Sequence, residues 1–444
     1  MTELPVVVIG AGPVGLATAA HLLKRGVEPV VLEAGSEAGS AVAEWAHVRL
    51  FSPWSQLVDL AAAELLTPTG WSHPDADVHP TGGEWLKSYL RPLAQALGDR
   101  VRVKARVTGV ARRGQDRISD VGRGEQPLAV HVAGPTGDEV ALARAVIDAS
   151  GTWATPSPLG SDGIAAPGEH AAEQRISYRV PDLAQPAQRQ RYAGRRIAIA
   201  GSGHSALTAL VVLTALAEEC PGTEIVWLLR RETPVSADEA DSDQLPARGA
   251  LGSRATAAAR SEHVRVVAGF RTAAVEQGPD GLVILESVDG RRLEPVDEVL
   301  ALTGFRPDLS FLGEVRLDLD PVLQAPRALA ELIDPAVHSC GTAIPHGVRE
   351  LTQPEPDVFM VGMKSYGRAP TFLAMTGYEQ VRSVAAALAG DHDAATRVEL
   401  ALPIGNACGE PGIVAGCGEA GDSACGDGAG PQLLDLRAPT SARC

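Results

Sequence analysis

The sequence has few aromatic residues, few lysines and no closely spaced pair of cysteines. Aromatic side chains make up 4% of the 444 residues, and only four residues are lysine, so arginine carries nearly all of the positive charge. The six cysteines include no C-x-x-C pair, which excludes the local redox dithiol that this spacing provides.

A positive charge excess is also missing, and we expect no secretory leader. The net charge of −16 argues against binding to nucleic acid or to anionic membrane surfaces. The opening M-T-E-L-P leads directly into an apolar strand, without the basic and apolar segments of a secretory signal. The apolar stretch 197–217 contains glycines and a histidine, so a strand followed by a helix explains it better than a membrane span. We therefore expect a cytoplasmic protein.

The most informative motif that is present is V-V-V-I-G-A-G-P-V-G, with Gly10, Gly12, Pro13 and Gly15. The pattern predicts a strand, a tight turn and a helix. In such a fingerprint the first glycine permits the turn, the second lets the backbone approach a pyrophosphate, and the third lets the helix pack on the strand. The amino end of the helix then offers free N–H groups to the phosphates.

An acidic residue completes this first unit. We predict a strand at Val6–Ile9, a helix at Val14–Lys24 and a second strand at Val30–Leu32, followed by Glu33. A carboxylate in this place accepts hydrogen bonds from a ribose diol, which suits the adenosine of FAD or NAD and not a 2′-phosphate. The alternative, an apolar strand–turn–helix without a ligand, leaves Glu33 unexplained.

A second fingerprint, I-A-I-A-G-S-G-H-S-A, contains Gly201, Gly203, His204, Ser205 and, in place of the third glycine, the equally compact Ala206. His204 and Ser205 lie at the predicted start of a helix. His204 could contact a phosphate or a nicotinamide, or it could be a helix-start residue without a chemical role.

The second unit ends in positively charged residues, whereas the first ends in the negatively charged Glu33. Arg230 and Arg231 follow the predicted strand Ile225–Leu229, and arginine forms charge-assisted hydrogen bonds with phosphate. This favours NADPH over NADH, while the alternative is a pair of solvated arginines at a strand end. Two dinucleotides that face each other can transfer hydride from a nicotinamide to a flavin.

Other buried strands end in small residues. We predict one over residues 145–152, one that ends at Thr303 and Gly304, and one that ends at Gly362. We also predict that Leu282–Ser287 pairs with Glu298–Thr303, and that Arg102–Arg112 and Leu128–Val132 belong to a β-meander. The predicted helix Thr371–Ala389 could point its first amides at a flavin and stabilise negative charge on it.

Candidate catalytic residues follow Gly362. Lys364, Tyr366 and Arg368 come directly after it, and either cation could stabilise negative charge on a reduced flavin. The alternative is ordinary surface charge at a turn. Cys340 could handle a soft substrate such as a trivalent arsenical, or it could be a buried structural cysteine.

Beyond Pro403 the chain is rich in glycine and has no hydrophobic periodicity, so we predict that residues 403–444 form a disordered tail. Its cysteines fit no zinc template. They could chelate a soft metal or metalloid, or they could be inert thiols. The tail cysteines are Cys408, Cys417, Cys425 and Cys444.

On these motifs the chain resembles the two-dinucleotide-binding flavoprotein superfamily, and within it the class B flavin monooxygenases. The resemblance implies an α/β protein with two Rossmann-like, three-layer ββα domains. Residues 1–157 and 320–402 would form the FAD domain, and residues 158–319 would form an inserted NADPH domain.

The resemblance also has departures. The superfamily usually has aspartate after the glycine of the last strand, where this chain has Met363. The F-x-G-x-x-x-H signature of ketone and amine oxygenases is missing before the second fingerprint. The segments 46–54 and 362–373 look more like flavoproteins encoded among arsenic-resistance genes.

The sequence therefore predicts an FAD-dependent, NADPH-oxidising enzyme of monooxygenase type, with a small-molecule substrate, O2 as co-substrate and a link to arsenical detoxification. The alternatives are an NADPH:acceptor reductase without oxygen insertion and a metalloid-binding protein that uses the tail. We predict no resident metal, and a homodimer is left open.

Overall fold

The structure, a computed structural model, describes residues 4–232, 246–334, 345–370 and 372–400. Cys340 and the whole predicted tail, with its four cysteines, lie outside the described residues. The described strands are β1 (Val6–Ile9), β2 (Pro29–Leu32), β3 (Val101–Arg102), β4 (Arg106–Arg112), β5 (Leu128–Gly134), β6 (Gly137–Ala143), β7 (Ala145–Asp148), β8 (Ile176–Ser177), β9 (Arg196–Ala200), β10 (Glu224–Leu228), β11 (Val264–Val267), β12 (Thr272–Gln277), β13 (Val283–Ser287), β14 (Glu298–Ala301) and β15 (Val358–Met360).

The helices follow the apolar and alanine-rich stretches between these strands. The described α-helices are α1 (Pro13–Lys24), α2 (Ser40–Ala43), α3 (Leu60–Leu66), α4 (Gly82–Trp85), α5 (Arg91–Leu97), α6 (Pro186–Tyr192), α7 (His204–Glu219), α8 (Pro246–Ala259), α9 (Arg327–Ile333), α10 (Val348–Leu351), α11 (Ala374–Leu388) and α12 (His392–Thr396). None of these described helices has the length and apolar character that crossing a membrane requires.

The first five-stranded sheet has the order β15-β7-β1-β2-β3, and every neighbouring pair in it is parallel. Alternate residues of β1 face opposite sides, as the two-residue period of a strand requires. Val6 and Val8 pack in the core that contains α1, whereas Val7 and Ile9 pack in the core that contains β4 and β5. The sheet therefore lies between a helical layer and the antiparallel sheet β4-β5-β6.

The antiparallel layer begins later than the sequence predicts. Val101 and Arg102 pair with Val31 and Leu32 and so belong to the first sheet. Lys104 then takes a positive φ of 54°, which interrupts the extended chain before β4 begins. The predicted β-meander is confirmed as β4-β5-β6, but its first strand begins at Arg106 and not at Arg102, because Arg102 belongs to the first sheet.

The second five-stranded sheet has the order β11-β10-β9-β14-β8 and is also parallel throughout. Ile197 and Ile199 pack against α7, and Ala198 and Ala200 pack toward the hairpin β12–β13. The predicted pairing of Leu282–Ser287 with the strand that ends at Thr303 is wrong. β13 pairs with β12, and β14 lies in the parallel sheet, where its four residues are all buried.

Both sheets thus have helices on one face and antiparallel strands on the other. This confirms the predicted α/β class with its three-layer units. The predicted domain limits stay predictions. Within the segment 158–319, Leu312 and Val315 pack in the same core as Val7 and Val130 of the first unit.

Candidate functional site

The first glycine fingerprint has the geometry of a phosphate-binding turn. Gly10 has a φ of +96°, and a Cβ on Gly15 would lie 1.9 Å from the carbonyl oxygen of Gly10. At Gly12, in contrast, a Cβ would meet nothing within 4 Å. Two glycines are therefore required by the protein itself, and the middle one borders open space at the amino end of α1, which begins at Pro13.

The second fingerprint repeats this arrangement. Gly201 has a φ of +129°, and a Cβ on it would lie 2.2 Å from the carbonyl oxygen of Leu302. A Cβ on Gly203 would meet nothing within 4 Å, and α7 begins at His204. Ala206 is completely buried, so its methyl group fits where the pattern asks for a small residue. The backbone at both turns fits a bound dinucleotide.

Glu33 faces the first turn. Its carboxylate accepts hydrogen bonds from the backbone N–H of Ala11 at 2.8 Å and of Gly35 at 2.7 Å. The side chain is half-buried, so part of it stays accessible to a ligand. These bonds orient the carboxylate at the end of β2, beside the fingerprint that precedes α1.

Arg230 and Arg231 follow β10 at the same edge as the second fingerprint. Both side chains are exposed, and neither is in an ion pair within the described part of the chain. Ser205 lies in the first turn of α7, and the ring of His204 lies 5.2 Å from the ring of Phe51, which comes from the first unit.

Two chain segments connect the units, and they pair with each other. The N–H of Ser157 donates to the carbonyl of Gly304 at 2.8 Å, and the Thr303 hydroxyl donates to the carbonyl of Ser157 at 2.8 Å. Thr303 and Gly304 were predicted to contact a cofactor. In the structure they join the two connecting segments, and the cofactor contact stays a prediction. Pro156 and Phe305 form an antiparallel bridge beside them.

An aromatic cluster covers this junction. Trp153 stacks on Phe305 with ring centroids 4.8 Å apart, and the guanidinium of Arg179 lies 4.0 Å from the Trp153 ring. The indole N–H of Trp153 donates to Glu44 at 2.8 Å. A cleft of about 440 Å³ borders Glu44 and Arg179 and gives room for a small molecule on the scale of known ligand pockets.

The turn after β15 approaches the first fingerprint. Gly362 has a φ of +66°, and a Cβ on it would lie 3.2 Å from the side chain of Val14. Its N–H donates to the side-chain carbonyl of Gln380 on α11 at 2.7 Å. Gln380 in turn donates to Ser365 at 2.9 Å and lies 2.8 Å from His346. A buried network of polar side chains from α11 and its neighbours therefore fixes this turn.

The structure separates the candidate catalytic residues. Lys364 is completely buried and forms an ion pair with Asp148 at 2.8 Å, so it is not an ordinary surface charge. Tyr366 is buried too, and burial raises the pKa of its hydroxyl well above the ordinary value. Arg368 is exposed and donates to Gln324. Their catalytic roles stay predictions, and Cys340 lies outside the described residues.

Three polar residues at this edge were not predicted from the sequence, and two of them, Asp148 and Gln380, are completely buried. Asp148, Ser150 and Gln380 all bond to the turns that surround the first fingerprint. A signal was present for the first of these, because an aspartate that ends the apolar strand A-V-I-D has to find a partner.

The described fold is similar to several solved flavoenzymes. A bacillithiol disulfide reductase from Bacillus cereus is 20% identical, with a TM-score of 0.63 over 88% of this chain and 99% of that one. A cadaverine monooxygenase from Erwinia amylovora, solved with FAD, is 15% identical, with a TM-score of 0.60 over 89% and 96%. A flavin-containing monooxygenase from Stenotrophomonas maltophilia is 23% identical, with a TM-score of 0.52 over 88% and 99%. These identities show a shared fold.

A search of curated proteins finds no match. The family pattern of the pyridine nucleotide-disulphide oxidoreductases matches residues 7–326, which is more than half of the chain. At the level of the family this confirms the predicted superfamily and the prediction of an oxidoreductase with FAD and NADPH as cofactors. With both fingerprints inside the matched stretch, the chain belongs to the pyridine nucleotide-disulphide oxidoreductase family.

Proposed function

We propose that this protein oxidises NADPH, passes the electrons to FAD and uses them to oxygenate a small molecule. The observation that carries the proposal is the pair of equivalent phosphate-binding turns, one after β1 and one after β9, that end in opposite charges. Glu33 follows one and Arg230 follows the other.

FAD is assigned to the first turn. Gly12 leaves space for a pyrophosphate, and Glu33 presents a carboxylate that can accept hydrogen bonds from a ribose diol. The turn at Gly362 and the amino end of α11 lie against Val14, at the same edge. Protein atoms from three places in the sequence therefore surround one crevice.

NADPH is assigned to the second turn. Gly203 leaves the equivalent space, and Arg230 and Arg231 offer donors for a 2′-phosphate. Phe51 reaches from the first unit to His204 at the start of α7, so the two turns belong to one region of the molecule.

The flavin supplies the hydride acceptance and the subsequent electron transfer when it is bound. The residues of this chain bind the two dinucleotides and orient them. Glu33 orients the adenosine end of FAD, the arginines select the phosphorylated nicotinamide dinucleotide, and the stacked Trp153 and Phe305 pack over the junction between the two units.

The position of Cys220 bears on which group accepts the electrons of the reduced flavin. It argues against a disulfide of this protein as that acceptor. Cys220 follows the 16-residue helix α7 at its carboxyl end. A helix of that length places Cys220 about 24 Å from the fingerprint at its amino end. Together with the missing C-x-x-C pair, the position of Cys220 argues against a dithiol reaction that uses this cysteine.

The test starts from the purified full chain and its flavin absorbance. We expect a yellow protein whose absorbance bleaches with anaerobic NADPH much faster than with NADH. Rapid mixing of the reduced enzyme with oxygen should then give a transient absorbance band that differs from both the oxidised and the reduced form. Bleaching without any such band, together with fast oxidation by a quinone, would instead establish the acceptor reductase.

A link to arsenicals depends on residues outside the described part of the chain. We propose the tail cysteines as a soft-ligand site because thiolates prefer soft metalloids. Replacement of Cys408, Cys417 and Cys425 by serine should weaken arsenite binding in a direct titration. Unchanged affinity would dismiss the metalloid-binding alternative and leave the flavin chemistry untouched.

A further inference from the structure

We propose that Asp148 and Lys364 form a positioning pair that sets the spacing of two turns at the ligand edge of the first sheet, and thereby the affinity for FAD. The inference rests on the proposed assignment of FAD to the first fingerprint. It gives Lys364 a role through its neighbours instead of through contact with the flavin.

The pair joins two neighbouring strands at their carboxyl ends. Asp148 is the last residue of β7 and pairs with Met360, the last residue of β15. Lys364 lies in the turn that follows β15, and its Nζ lies 2.8 Å from Oδ2 of Asp148. The carboxyl ends of parallel strands are the edge where α/β sheets bind ligands.

Ser150 connects this pair to the first fingerprint. Oδ1 of Asp148 accepts from the Ser150 N–H at 3.0 Å and from its hydroxyl at 2.6 Å, while Lys364 donates to that hydroxyl at 2.9 Å. A Cβ on Gly10 would lie 2.9 Å from the Ser150 Cα. The pair thus fixes Ser150, and the backbone of Ser150 packs directly against the fingerprint turn at Gly10.

The other side of the pair controls the turn at Gly362. Gln380 fixes the Gly362 N–H from α11, and the Lys364–Asp148 contact fixes the same turn from β7. Because Gly362 lies against Val14 in the first turn of α1, a shift of this turn changes the shape of the crevice.

The burial of Lys364 distinguishes positioning from contact. Protein atoms cover both side chains completely, and the Lys364 ammonium also lies 4.3 Å from the ring centroid of Phe311. No surface of the lysine is left to touch a ligand. A buried ion pair is often no more stabilising than an apolar pair of the same size, so its value here is the geometry it enforces.

The experiment is a titration of FAD into the apoprotein of the full chain, for the wild type and for D148N, K364M and S150A. We expect D148N and K364M to raise the FAD dissociation constant in the same direction, each by about tenfold or more, because either change releases both turns. S150A should have a smaller effect of the same sign. Tighter FAD binding by D148N would overturn the proposal, because a cation freed from Asp148 and in contact with anionic FAD would strengthen binding.

The double variant D148N/K364M separates positioning from stability. Without an unpaired buried charge it should recover the melting temperature that each single variant loses, yet keep the raised dissociation constant. A double variant with the affinity of the wild type would show that the pair only stabilises the fold and would overturn the proposal.

The matched control is E355Q, which weakens a different buried ion pair and should leave FAD affinity within about twofold of the wild type, since its partners are Arg112 and Arg123. An equal loss of affinity in E355Q would also overturn the proposal. Failure of the wild type to bind FAD is a separate result, because it would contradict the proposed function itself.

Discussion

The short strand β15 has a buried ion pair at each end, and the two pairs have different consequences. Before the strand, Glu355 accepts hydrogen bonds from Arg112 at 2.8 Å and from Arg123 at 2.7 Å. After the strand, Lys364 meets Asp148. All five of these side chains are at most 5% exposed.

The partners of the two pairs explain the difference. Arg112 and Arg123 also donate to the carbonyls of Pro356 and Glu314, so the pair at the amino end ties the antiparallel layer to the loops beneath it. The pair at the carboxyl end bonds to Ser150, beside the fingerprint. The same kind of buried ion pair therefore connects parts of the fold at the amino end of the strand and, in our proposal, positions the FAD-binding turns at the carboxyl end.

The largest expected effect is on stability and comes from the amino end. E355A leaves two buried guanidinium groups without their carboxylate, which should lower the free energy of unfolding by about 3–5 kcal/mol. Urea denaturation of the apoprotein measures this change. A loss below about 1 kcal/mol, the value of a surface ion pair, would break the comparison.

The next largest effect concerns the second nucleotide-binding turn. Under the proposed assignment, R230A and R231A each remove a charge-assisted hydrogen bond to the 2′-phosphate that is worth about 1.5–3 kcal/mol, so the KM for NADPH should rise roughly 10- to 100-fold. The KM for NADH, which lacks that phosphate, serves as the internal control. If both KM values rise together, the arginines do not select the phosphate.

A smaller effect follows from the open space at the first turn. G12A places a methyl group where no protein atom lies within 4 Å, so the apoprotein should keep its melting temperature. FAD affinity should fall about tenfold, because the methyl group occupies the approach to the pyrophosphate. The control G15A should lose both melting temperature and FAD affinity, since its Cβ would collide with the Gly10 carbonyl.

The smallest effect is a pH dependence at the amino end. Burial alone would raise the pKa of Glu355, but hydrogen bonds from Arg123 and Arg112 outweigh it and hold the pKa below the ordinary value of 4.5. The stabilisation is therefore complete above pH 4.5 and is lost as the pH falls through the folded-state pKa. Urea midpoints across this acidic range should fall more steeply for the wild type than for E355Q; parallel curves would contradict the assignment.

Local patterns predicted the strands and helices that surround the cofactor turns. β1 was predicted at its observed bounds, and α1 begins one residue earlier than predicted, at Pro13, because glycine spacing and apolar runs act over a few residues. The antiparallel partner of β13 was missed, since strand pairing depends on which segment meets which in space.

The site was predictable only where it is local in sequence. Asp148 and Lys364 are separated by more than two hundred residues, and nothing near Lys364 in the sequence indicates that protein atoms cover it. Periodicity describes the environment of a strand or a helix, whereas a single lysine in a turn takes its environment from distant parts of the chain.

The two segments that connect the units lie side by side at Ser157 and Gly304, and this affects how the chain could have gained the part between them. Because these two residues share a hydrogen bond of 2.8 Å, the 146-residue stretch between them leaves and re-enters the first unit at one spot. Because its two ends are adjacent, such a stretch can be inserted into or removed from a chain without displacing the segments on either side of it.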